Sequence, residues 1–574
     1  MASSRWQVAG SKWQVAVRQS KIQNPKSKIG WVAGLVILVV ASVWLGRASF
    51  VRAASAAVGQ VRNAPYGGAI HYLYVVPLSH LDIGFNYSVP EVIGLHKQYI
   101  DEAMDYAEQY PEYHWTIESV WQLDQWLAQT PDPAEIDRLR GLIEQGKISL
   151  TAGYANMHQG LMGSEELNRF VYPGRFYEDS WGLDLETAVS DDVPGSSWAL
   201  PQVLAANGVR NLVAGVNTAF GGLPDIPVAD YLFNWQGVDD SQVLTWMSAN
   251  SYAEGIFTYW LSAQYQDMRQ HTQEMIDFYE GNGYAYDSII VMEGFDNDGA
   301  DTILGALNNI ERWNQEHTWP QILISTPDAF FQHVREVYGD DGFTVYGGDW
   351  SGRWDNGDTR TPVSTSQVRA TRETAAQAET LAAVAFGLDN TVPYPAAQLD
   401  QIYDGLLVYD EHSGPGGGFD LTEQQINVSN QWFRQNVVTG ERTAGRLLSQ
   451  GLRALVNNIQ TDQPALVVYN GLSRPRSDLV TIDGGDLGIR GFFPISQSPN
   501  PLIPAQPITL IDLETGAAVP TQTLSDGRLV FLAQDVPALG YRLYGLSSGD
   551  WGIRGFSHHL IPQSPNPRPL SQQI

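Results

Sequence analysis

The stretch HYLYVVPLSHLDIGF, residues 71–85, places the first acidic residue of the chain directly behind an apolar run. The apolar and aromatic residues at 71–78 predict a β-strand. His80 and Asp82 follow two positions apart, so at the period of a strand both side chains can point to one side. An imidazole nitrogen and a carboxylate oxygen suit zinc or a similar divalent metal. A plain hydrogen bond between the two side chains is the alternative that the pair alone leaves open.

The region around this strand, residues 66–345, alternates short β-like runs with helical patterns. Such alternation predicts an α/β fold with parallel strands and right-handed crossovers, here an irregular or incomplete parallel β/α barrel. In these folds the chemistry gathers at the C-terminal ends of the strands. The β-like runs are residues 71–78, 113–119, 148–154, 185–190, 211–216, 288–293 and 322–326.

The pattern changes downstream of the predicted barrel. Residues 360–460 form long amphipathic segments with few Gly or Pro, which predict a helical bundle. Short β-like runs return at 463–547 and predict a β-sandwich-like module, followed by a disordered tail at 548–574. The words GIRGF and QSPNP occur in both 485–501 and 549–567, and we interpret them as weakly structured Pro- and Ser-rich sequence.

The N-terminal segment, residues 1–62, has the features of a targeting sequence. Residues 1–28 carry six Lys or Arg and no acid, and the uncharged apolar run 29–46 follows. Eighteen helical residues span roughly 27 Å, close to the thickness of a bilayer core. The run is either a signal anchor or a signal peptide cleaved near Ala56, within AASAA at 53–57. Both interpretations predict that the rest of the chain lies outside the cytoplasmic membrane.

The composition disfavours nucleic acid as a partner and excludes chemistry that needs cysteine. A net charge of −29 disfavours nucleic acid, because phosphate binding needs clustered Lys and Arg. The absence of Cys excludes disulfides, thiolate metal ligands and Cys nucleophiles. The 18 Trp and 26 Tyr are compatible with a carbohydrate-binding surface, although core packing is the ordinary explanation for any one of them.

Two more groups of carboxylates follow predicted strands. Asp191 and Asp192 end one β-like run just before a Pro-Gly turn, and either could instead cap the following helix. Asp296 and Asp298 follow another run, where an Asx-turn is the alternative. If the strands are parallel, these carboxylates gather at the same edge as the first His–Asp pair.

A fourth group follows a helical pattern, where YDEHSG (409–414) places Glu411 and His412 before a glycine-rich stretch. A histidine that interacts with the C-terminal end of the helix is the alternative. In this order the four groups resemble glycoside hydrolase family 38, the zinc-dependent α-mannosidases, over roughly residues 68–545. The motifs that carry the resemblance are HLDIGF (80–85), SDDVPGSS (190–197), GFDND (294–298) and YDEHSG, with TAGYANMHQGLMGSEEL (151–167) as a further similarity.

The resemblance implies a retaining glycoside hydrolase that uses one zinc ion and acts on an α-mannoside-type glycan. It makes Asp192 the nucleophile, with Asp191 as the alternative. It makes Asp296 the general acid and base, with Asp298 as the alternative. The implied zinc ligands are His80, Asp82, Asp192 and His412. The implied sugar contacts are Phe85, Tyr154, Trp354 and Asp355.

The chain departs from the family pattern at two points. Pro194 stands where the family has an aromatic residue, and NLVAGVNTAFGG (211–222) lacks the arginine that often follows on the next strand. A membrane-anchored glycan-binding protein with an inactive site is therefore one alternative. A zinc-dependent carbohydrate deacetylase is another, but such enzymes typically use an H-x-x-x-H pair, and no two of the 11 His have that spacing.

Overall fold

The described part of the chain begins at residue 70 of the computed structural model. The predicted N-terminal segment (1–62), the predicted tail (548–574) and both copies of the repeat lie outside it. Among the helices of the described part, none is both long and apolar enough to span a bilayer. The described residues are 70–130, 132–193, 195–218, 223–249, 251–257, 264–350, 361–418, 421–463, 465–482 and 509–547.

Strands of three to six residues run through the first part of the described chain, and each of the seven predicted β-like runs overlaps one. The hydrophobic core lies around them, with Trp121, Trp126, Trp235, Trp246 and Trp313 all buried. The strands are β1 (Tyr72–Pro77), β2 (Trp115–Ile117), β3 (Ile148–Leu150), β4 (Thr187–Asp191), β5 (Asn211–Gly215), β6 (Leu232–Gln236), β7 (Gln242–Met247), β8 (Ser288–Glu293), β9 (Gln321–Ile324) and β10 (Val345–Gly347).

Helices connect most of these strands, and 3₁₀ turns lie at Val228–Asp230 and Thr302–Ala306. The helices are α1 (Val89–Gln109), α2 (Val120–Gln129), α3 (Pro133–Glu144), α4 (Ser164–Arg169), α5 (Tyr172–Trp181), α6 (Leu200–Ala206), α7 (Glu254–Phe257), α8 (Tyr265–Gly281), α9 (Leu307–Glu316) and α10 (Pro327–Tyr338).

The α/β class is confirmed, but the described strands form three sheets rather than one closed parallel barrel. Their orders are β8-β1-β9, β10-β6-β7-β5-β4 and β2-β3. β6 and β7 pair antiparallel as a hairpin, and β6, β7 and β10 lie outside the predicted β-like runs. The short strands β2 and β3 pair with each other, and a single bridge from Leu78 to Thr116 connects them to the β1 segment. Because the β6–β7 pair is antiparallel, the strands do not follow one another in the all-parallel order that the predicted barrel requires.

Two capped helices pack behind the end of β1. Ser88 and Glu91 form a capping box at the start of α1, where the Ser88 N–H donates to Glu91 Oε2 at 2.8 Å. At the start of α2, the Ser119 N–H donates to Gln122 Oε1 at 3.0 Å. The side chain of His96 lies on the buried face of α1, 2% exposed. These two helices therefore place hydrogen-bonded polar side chains next to the loop that follows β1.

Three long helices occupy the span predicted as a bundle. They are α11 (Pro362–Leu388), α12 (Ala396–Tyr409) and α13 (Glu423–Asn457), and their apolar faces share a core that includes Val368, Leu406 and Val437. Helix α12 ends directly before Glu411 and His412. The bundle thus delivers one of the predicted metal-binding segments.

Antiparallel strands follow the helices. They form two sheets, β11-β17-β13-β14 and β12-β16-β15, over a common core that includes Leu510, Phe531 and Tyr544. The strands are β11 (Ala465–Asn470), β12 (Arg476–Ile482), β13 (Thr509–Asp512), β14 (Ala518–Val519), β15 (Thr521–Thr523), β16 (Leu529–Val536) and β17 (Gly540–Ser547).

Candidate metal centre and active site

Backbone hydrogen bonds bring the ends of separate elements together. The Asn297 N–H, after β8, donates to His80 O at 2.8 Å, and a β-bridge joins His80 to Asp296. The His412 N–H, after α12, donates to Asn156 O at 2.9 Å. These bonds place loops that are far apart in sequence around one point at the C-terminal ends of the strands.

His412 Nε2 is the centre of a buried polar cluster. It lies 3.1 Å from Asp192 Oδ2, 3.3 Å from Asp82 Oδ1 and 3.3 Å from His80 Nε2. One ligand atom from each of the four residues lies within 4.8 Å of every other. All four residues are buried, and Asp192 is the most exposed at 6%. The structure thus brings together all four predicted metal ligands.

Each histidine of the cluster has a glutamate behind it. His80 Nδ1 lies 2.8 Å from Glu118 Oε1, and His412 Nδ1 lies 2.6 Å from Glu411 Oε1. Glu118 Oε2 also accepts the Leu81 N–H at 2.7 Å. The hydrogen bond from His80 Nδ1 to Glu118 favours the tautomer whose Nε2 carries a lone pair for a metal, whereas Glu411 lies beside His412 Nδ1 as a charged neighbour.

The donor set fits a divalent metal. Two imidazole Nε2 atoms and two carboxylates converge, and nitrogen with carboxylate oxygen is a set that zinc accepts. Two Nε2 atoms at 3.3 Å cannot both carry protons without repulsion, whereas a cation between them is attracted to both lone pairs. Residues His80, Asp82, Asp192 and His412 could therefore hold such an ion.

The two carboxylates of the cluster differ in their electrostatic surroundings. Burial and the nearby charge of Asp296 raise the pKa of Asp82 to about 7. Burial also opposes ionisation of Asp192, but His412, His80 and Asn217 outweigh it and lower the pKa of Asp192 below its usual value. Asp192 is thus the carboxylate that its neighbours hold in the charged form.

Asp192 and Asp191 have different surroundings, although they are adjacent. Asp192 adopts a left-handed backbone with φ of 65°, and its Oδ1 accepts a hydrogen bond from Asn217. Asp191 is fully buried against Gly215, where an added Cβ would lie 2.3 Å from Asp191 Oδ1. Neither caps α6, whose N-cap is Ala199. Only Asp192 belongs to the four-residue cluster around His412.

Asp296 and Asp298 also differ in their contacts. Asp296 Oδ1 accepts the Tyr252 hydroxyl at 2.7 Å, and Oδ2 accepts from Asn86 Nδ2 at 3.0 Å. Burial and the charge of Asp296 raise the pKa of Asp298 to about 6. The bridge from Asp296 to His80 places Asp296 beside the cluster, with both carboxyl oxygens oriented.

The predicted sugar contacts have three outcomes. Phe85 is half-buried beside the glycine-rich loop after His412, where the Gly418 N–H donates to Phe85 O at 2.9 Å. Tyr154 is only 4% exposed and packs in the core, so we do not retain it as a sugar contact. Trp354 and Asp355, like the substituted Pro194, lie outside the described residues.

Several polar residues that organise the site were not among the predicted site residues. Glu118 had a signal, because it is the acidic residue at the end of the run 113–119. Asn217 also follows a predicted strand, and it donates to Asp192 where the missing arginine was noted. Asn156 stands two positions after the predicted run 148–154 and within the quoted stretch 151–167, whereas Tyr252 follows none of the seven predicted runs.

The N-terminal part of the chain matches a known family. Residues 71–349 match the model of the glycosyl hydrolases family 38 N-terminal domain. Over 235 residues, the chain is 26% identical to alpha-mannosidase G of Dictyostelium discoideum, a match that covers 40% of this chain and 20% of that protein.

Solved structures resemble the fold over a larger span. An alpha-mannosidase from Enterococcus faecalis V583 aligns with a TM-score of 0.63 at 18% identity, over 83% of this chain and 56% of that one. A family 38 glycosyl hydrolase protein from Enterococcus faecalis aligns with a TM-score of 0.57 at 15% identity, over 85% and 55%. The chain thus spans a little over half the length of these structures and a fifth of the curated relative.

Proposed function

Because residues 71–349 belong to glycosyl hydrolase family 38, we propose that the protein is a zinc-dependent retaining glycoside hydrolase that acts on α-mannosides. The observation that carries this proposal is the joint placement of a four-ligand cluster and a separate, oriented carboxyl. The matched relative is described as an alpha-mannosidase, which supports the choice of sugar.

Asp192 is the nucleophile in this proposal. Its carboxylate attacks the anomeric carbon, the glycosidic bond breaks, and a covalent glycosyl-enzyme forms. Asn217 donates to one oxygen of Asp192 and fixes the direction of the attacking carboxylate. A bound cation would favour the ionised form of this carboxylate, which the nucleophile requires.

Asp296 is the general acid and base. It gives its proton to the departing oxygen in the first step, and in the second it takes a proton from the water that releases the sugar. Tyr252 and Asn86 hold both of its oxygens in place. Asp298 lacks these contacts in the described structure, so we assign the role to Asp296.

His80, Asp82, Asp192 and His412 would hold the zinc ion. When bound, the ion supplies a positive charge and positions for sugar hydroxyls beside the anomeric carbon. Glu118 keeps His80 oriented through its hydrogen bond to Nδ1, and the carboxylate of Glu411 lies beside Nδ1 of His412. The half-buried ring of Phe85 offers a face on which a sugar ring can pack.

The two alternatives from the sequence are less favoured. A glycan-binding protein with an inactive site would have no reason to retain an oriented Asp296 beside a complete ligand set. A carbohydrate deacetylase typically binds its metal through an H-x-x-x-H pair, whereas the histidines of this cluster are 332 residues apart. The family match also favours the hydrolase.

We also propose that the catalytic part acts outside the cytoplasmic membrane on glycans there. The support is the basic segment 1–28 followed by the uncharged run 29–46. Protease added to intact cells would digest an outward-facing catalytic part, and protection of that part until the cells are lysed would contradict the proposal.

The test of the proposed function combines metal content with turnover. We expect one zinc per chain and hydrolysis of an activated aryl α-mannoside by the full chain. Asp192→Ala should abolish hydrolysis, and His271→Ala, which removes a surface histidine paired with Glu274, should not. Turnover without bound metal, or metal without turnover on any α-mannoside, would contradict the proposal.

A further inference from the structure

Asn297 ties the loop of the general acid to the loop of the metal ligands. Its backbone N–H donates to His80 O at 2.8 Å, and its Nδ2 donates to Asp82 O at 3.2 Å. Its Oδ1 accepts the Asp82 N–H at 3.4 Å. One side chain therefore bonds both backbone groups of Asp82 while its own backbone fixes Asp296 next to His80.

His96 holds the Asn297 side chain from behind. His96 Nε2 lies 2.8 Å from Asn297 Oδ1, and His96 Nδ1 lies 3.1 Å from Gln122 Nε2. The other Gln122 hydrogen goes to Ser79 O at 2.9 Å, and Gln122 Oε1 accepts the Ser119 N–H. The capping box of α2 thus fixes the Gln122 amide, which in turn fixes the imidazole.

The hydrogen-bond roles in this chain are consistent with one tautomer. Because Gln122 Nε2 can only donate, His96 Nδ1 accepts, and His96 Nε2 donates to Asn297 Oδ1. A proton on Nδ1 would point at the hydrogens of Gln122. Burial, moreover, lowers the pKa of His96 to about 4, so the ring stays neutral near pH 7.

We propose that His96 and Gln122 are positioning residues that, through Asn297, keep Asp296 in register with the metal-binding loop. The chain of contacts runs from the capped start of α2 through His96 to Asn297. Without it, the acid loop is held to the β1 loop by fewer bonds, and the distance between acid and bound sugar can change. This inference rests on the proposed function for its catalytic consequence, but its structural part stands on the contacts alone.

Three variants distinguish the loss of the hydrogen bond between His96 and Asn297 from the loss of side-chain volume. His96→Leu removes both ring nitrogens but still fills the buried space with an apolar side chain. His96→Gln replaces the ring by an amide that can donate to Asn297. Asn297→Gly removes the side-chain clamp and keeps the backbone, because glycine adopts the observed φ of 55° without strain. His333→Leu, which removes a histidine paired with Asp287, is the matched control.

The first readout compares leaving groups. A displaced acid should slow hydrolysis of methyl α-mannoside, which needs a proton, more than that of dinitrophenyl α-mannoside, which does not. We expect kcat/KM for methyl α-mannoside, divided by kcat/KM for dinitrophenyl α-mannoside, to fall about tenfold or more in His96→Leu and Asn297→Gly. A fall of this size is well within the range of general acid catalysis. In His96→Gln this ratio should stay close to the wild-type value. An unchanged ratio in both defective variants would overturn the proposal, because a general loss of stability lowers both rates alike.

The second readout does not depend on activity. Hydrogen exchange of the Asn297 amide reports its bond to His80 O, and we expect exchange about tenfold faster in His96→Leu, but unchanged in His96→Gln and His333→Leu. Unchanged exchange in His96→Leu would overturn the proposal. If the wild-type protein hydrolyses neither mannoside, the proposed function fails, and this exchange measurement still decides the structural part.

Discussion

His80 Nε2 and His412 Nε2 face each other at 3.3 Å, although 332 residues separate the two histidines in the chain. One arrives on the loop after β1 and the other on the turn after α12. Two carboxylates, from Asp82 and Asp192, complete the group. These four residues could hold a shared cation, which would attract the lone pairs of both ring nitrogens.

Replacing His412 should remove the metal. His412→Ala deletes the ligand that contacts all three others, so bound zinc should fall from one per chain to well below that, with loss of turnover. Elemental analysis of the purified protein measures this directly. The surface variant His271→Ala should retain full zinc, and full zinc in His412→Ala would exclude His412 as a ligand.

Removal of the metal should lower thermal stability. The ligands come from loops after β1 and β4 and from the turn after α12, so the ion binds only the folded arrangement. Ligand linkage gives about 4 kcal/mol of stabilisation at a free metal concentration 1,000 times Kd. Melting curves with a chelator, and after zinc is returned, should differ reversibly by several degrees. Identical curves would contradict a metal that joins these segments.

Asp192 and Asp191 should respond very differently to the same change. Asp192→Asn removes the proposed nucleophile and should lower kcat/KM by about a thousandfold or more. Asp191→Asn keeps the shape of a side chain whose pKa burial already raises well above its usual range, so a loss of about tenfold or less is expected. Steady-state kinetics on an aryl α-mannoside distinguishes the two, and the reverse order would exchange their roles.

Asp296 and Asp298 provide a second matched pair. Asp296→Ala should impair a poor leaving group by about 10²-fold or more and an activated one less, with azide accelerating release of the sugar. Asp298→Ala should stay within about tenfold on both substrates, because in the proposed mechanism Asp296 rather than Asp298 gives the proton to the leaving group. Azide rescue of Asp298→Ala alone would show that the acid was assigned to the wrong carboxyl.

Asp124 should make stability fall between pH 4 and 6. Burial raises the pKa of Asp124 to about 6, although the hydrogen bond from Tyr177 acts in the opposite direction. Two other titratable groups interact with Asp124: Asp404 on α12, whose pKa burial also raises to about 6, and Tyr154. The unfolded chain releases this proton near pH 4, so the folded state binds more protons in between and loses stability as pH rises.

Asp124→Asn should therefore stabilise the protein by about 1 to 3 kcal/mol at pH 8 and leave it unchanged at pH 4. The amide oxygen can still accept the Tyr177 hydroxyl, so packing is preserved. Thermal melts at the two pH values measure the effect. Equal effects at pH 4 and pH 8, or a loss of stability at pH 8, would contradict the assigned direction.

The sequence predicted the parts of this protein that follow from local periodicity. His80 and Asp82 stand at the end of an apolar strand, and their spacing of two was enough to place both on one side. Position after predicted strands also indicated the pairs Asp191–Asp192 and Asp296–Asp298, but the choice of Asp192 and Asp296 within them came from the family resemblance. The strand β1 itself, and the order of β and α elements, follow from the same patterns.

Longer-range features were not predictable in this way. The β6–β7 hairpin interrupts the parallel order, and no local pattern fixed which strands are neighbours. Tyr252, on the loop after β7, donates to Asp296 from 44 residues away in the chain, a contact that no local pattern indicates. Tyr154 resembled a sugar contact by its place in a motif, but which face of its loop is covered depends on packing against the core.

The most direct test of the central claim is to trap the glycosyl-enzyme. A 2-deoxy-2-fluoro or 5-fluoro mannosyl fluoride slows release of the sugar, and mass spectrometry then locates the label. We predict a mass increase of one fluorosugar per zinc-loaded chain, carried by Asp192. A label on Asp191 or elsewhere, or no label during steady turnover, would contradict the claim that Asp192 is the nucleophile of a retaining hydrolase.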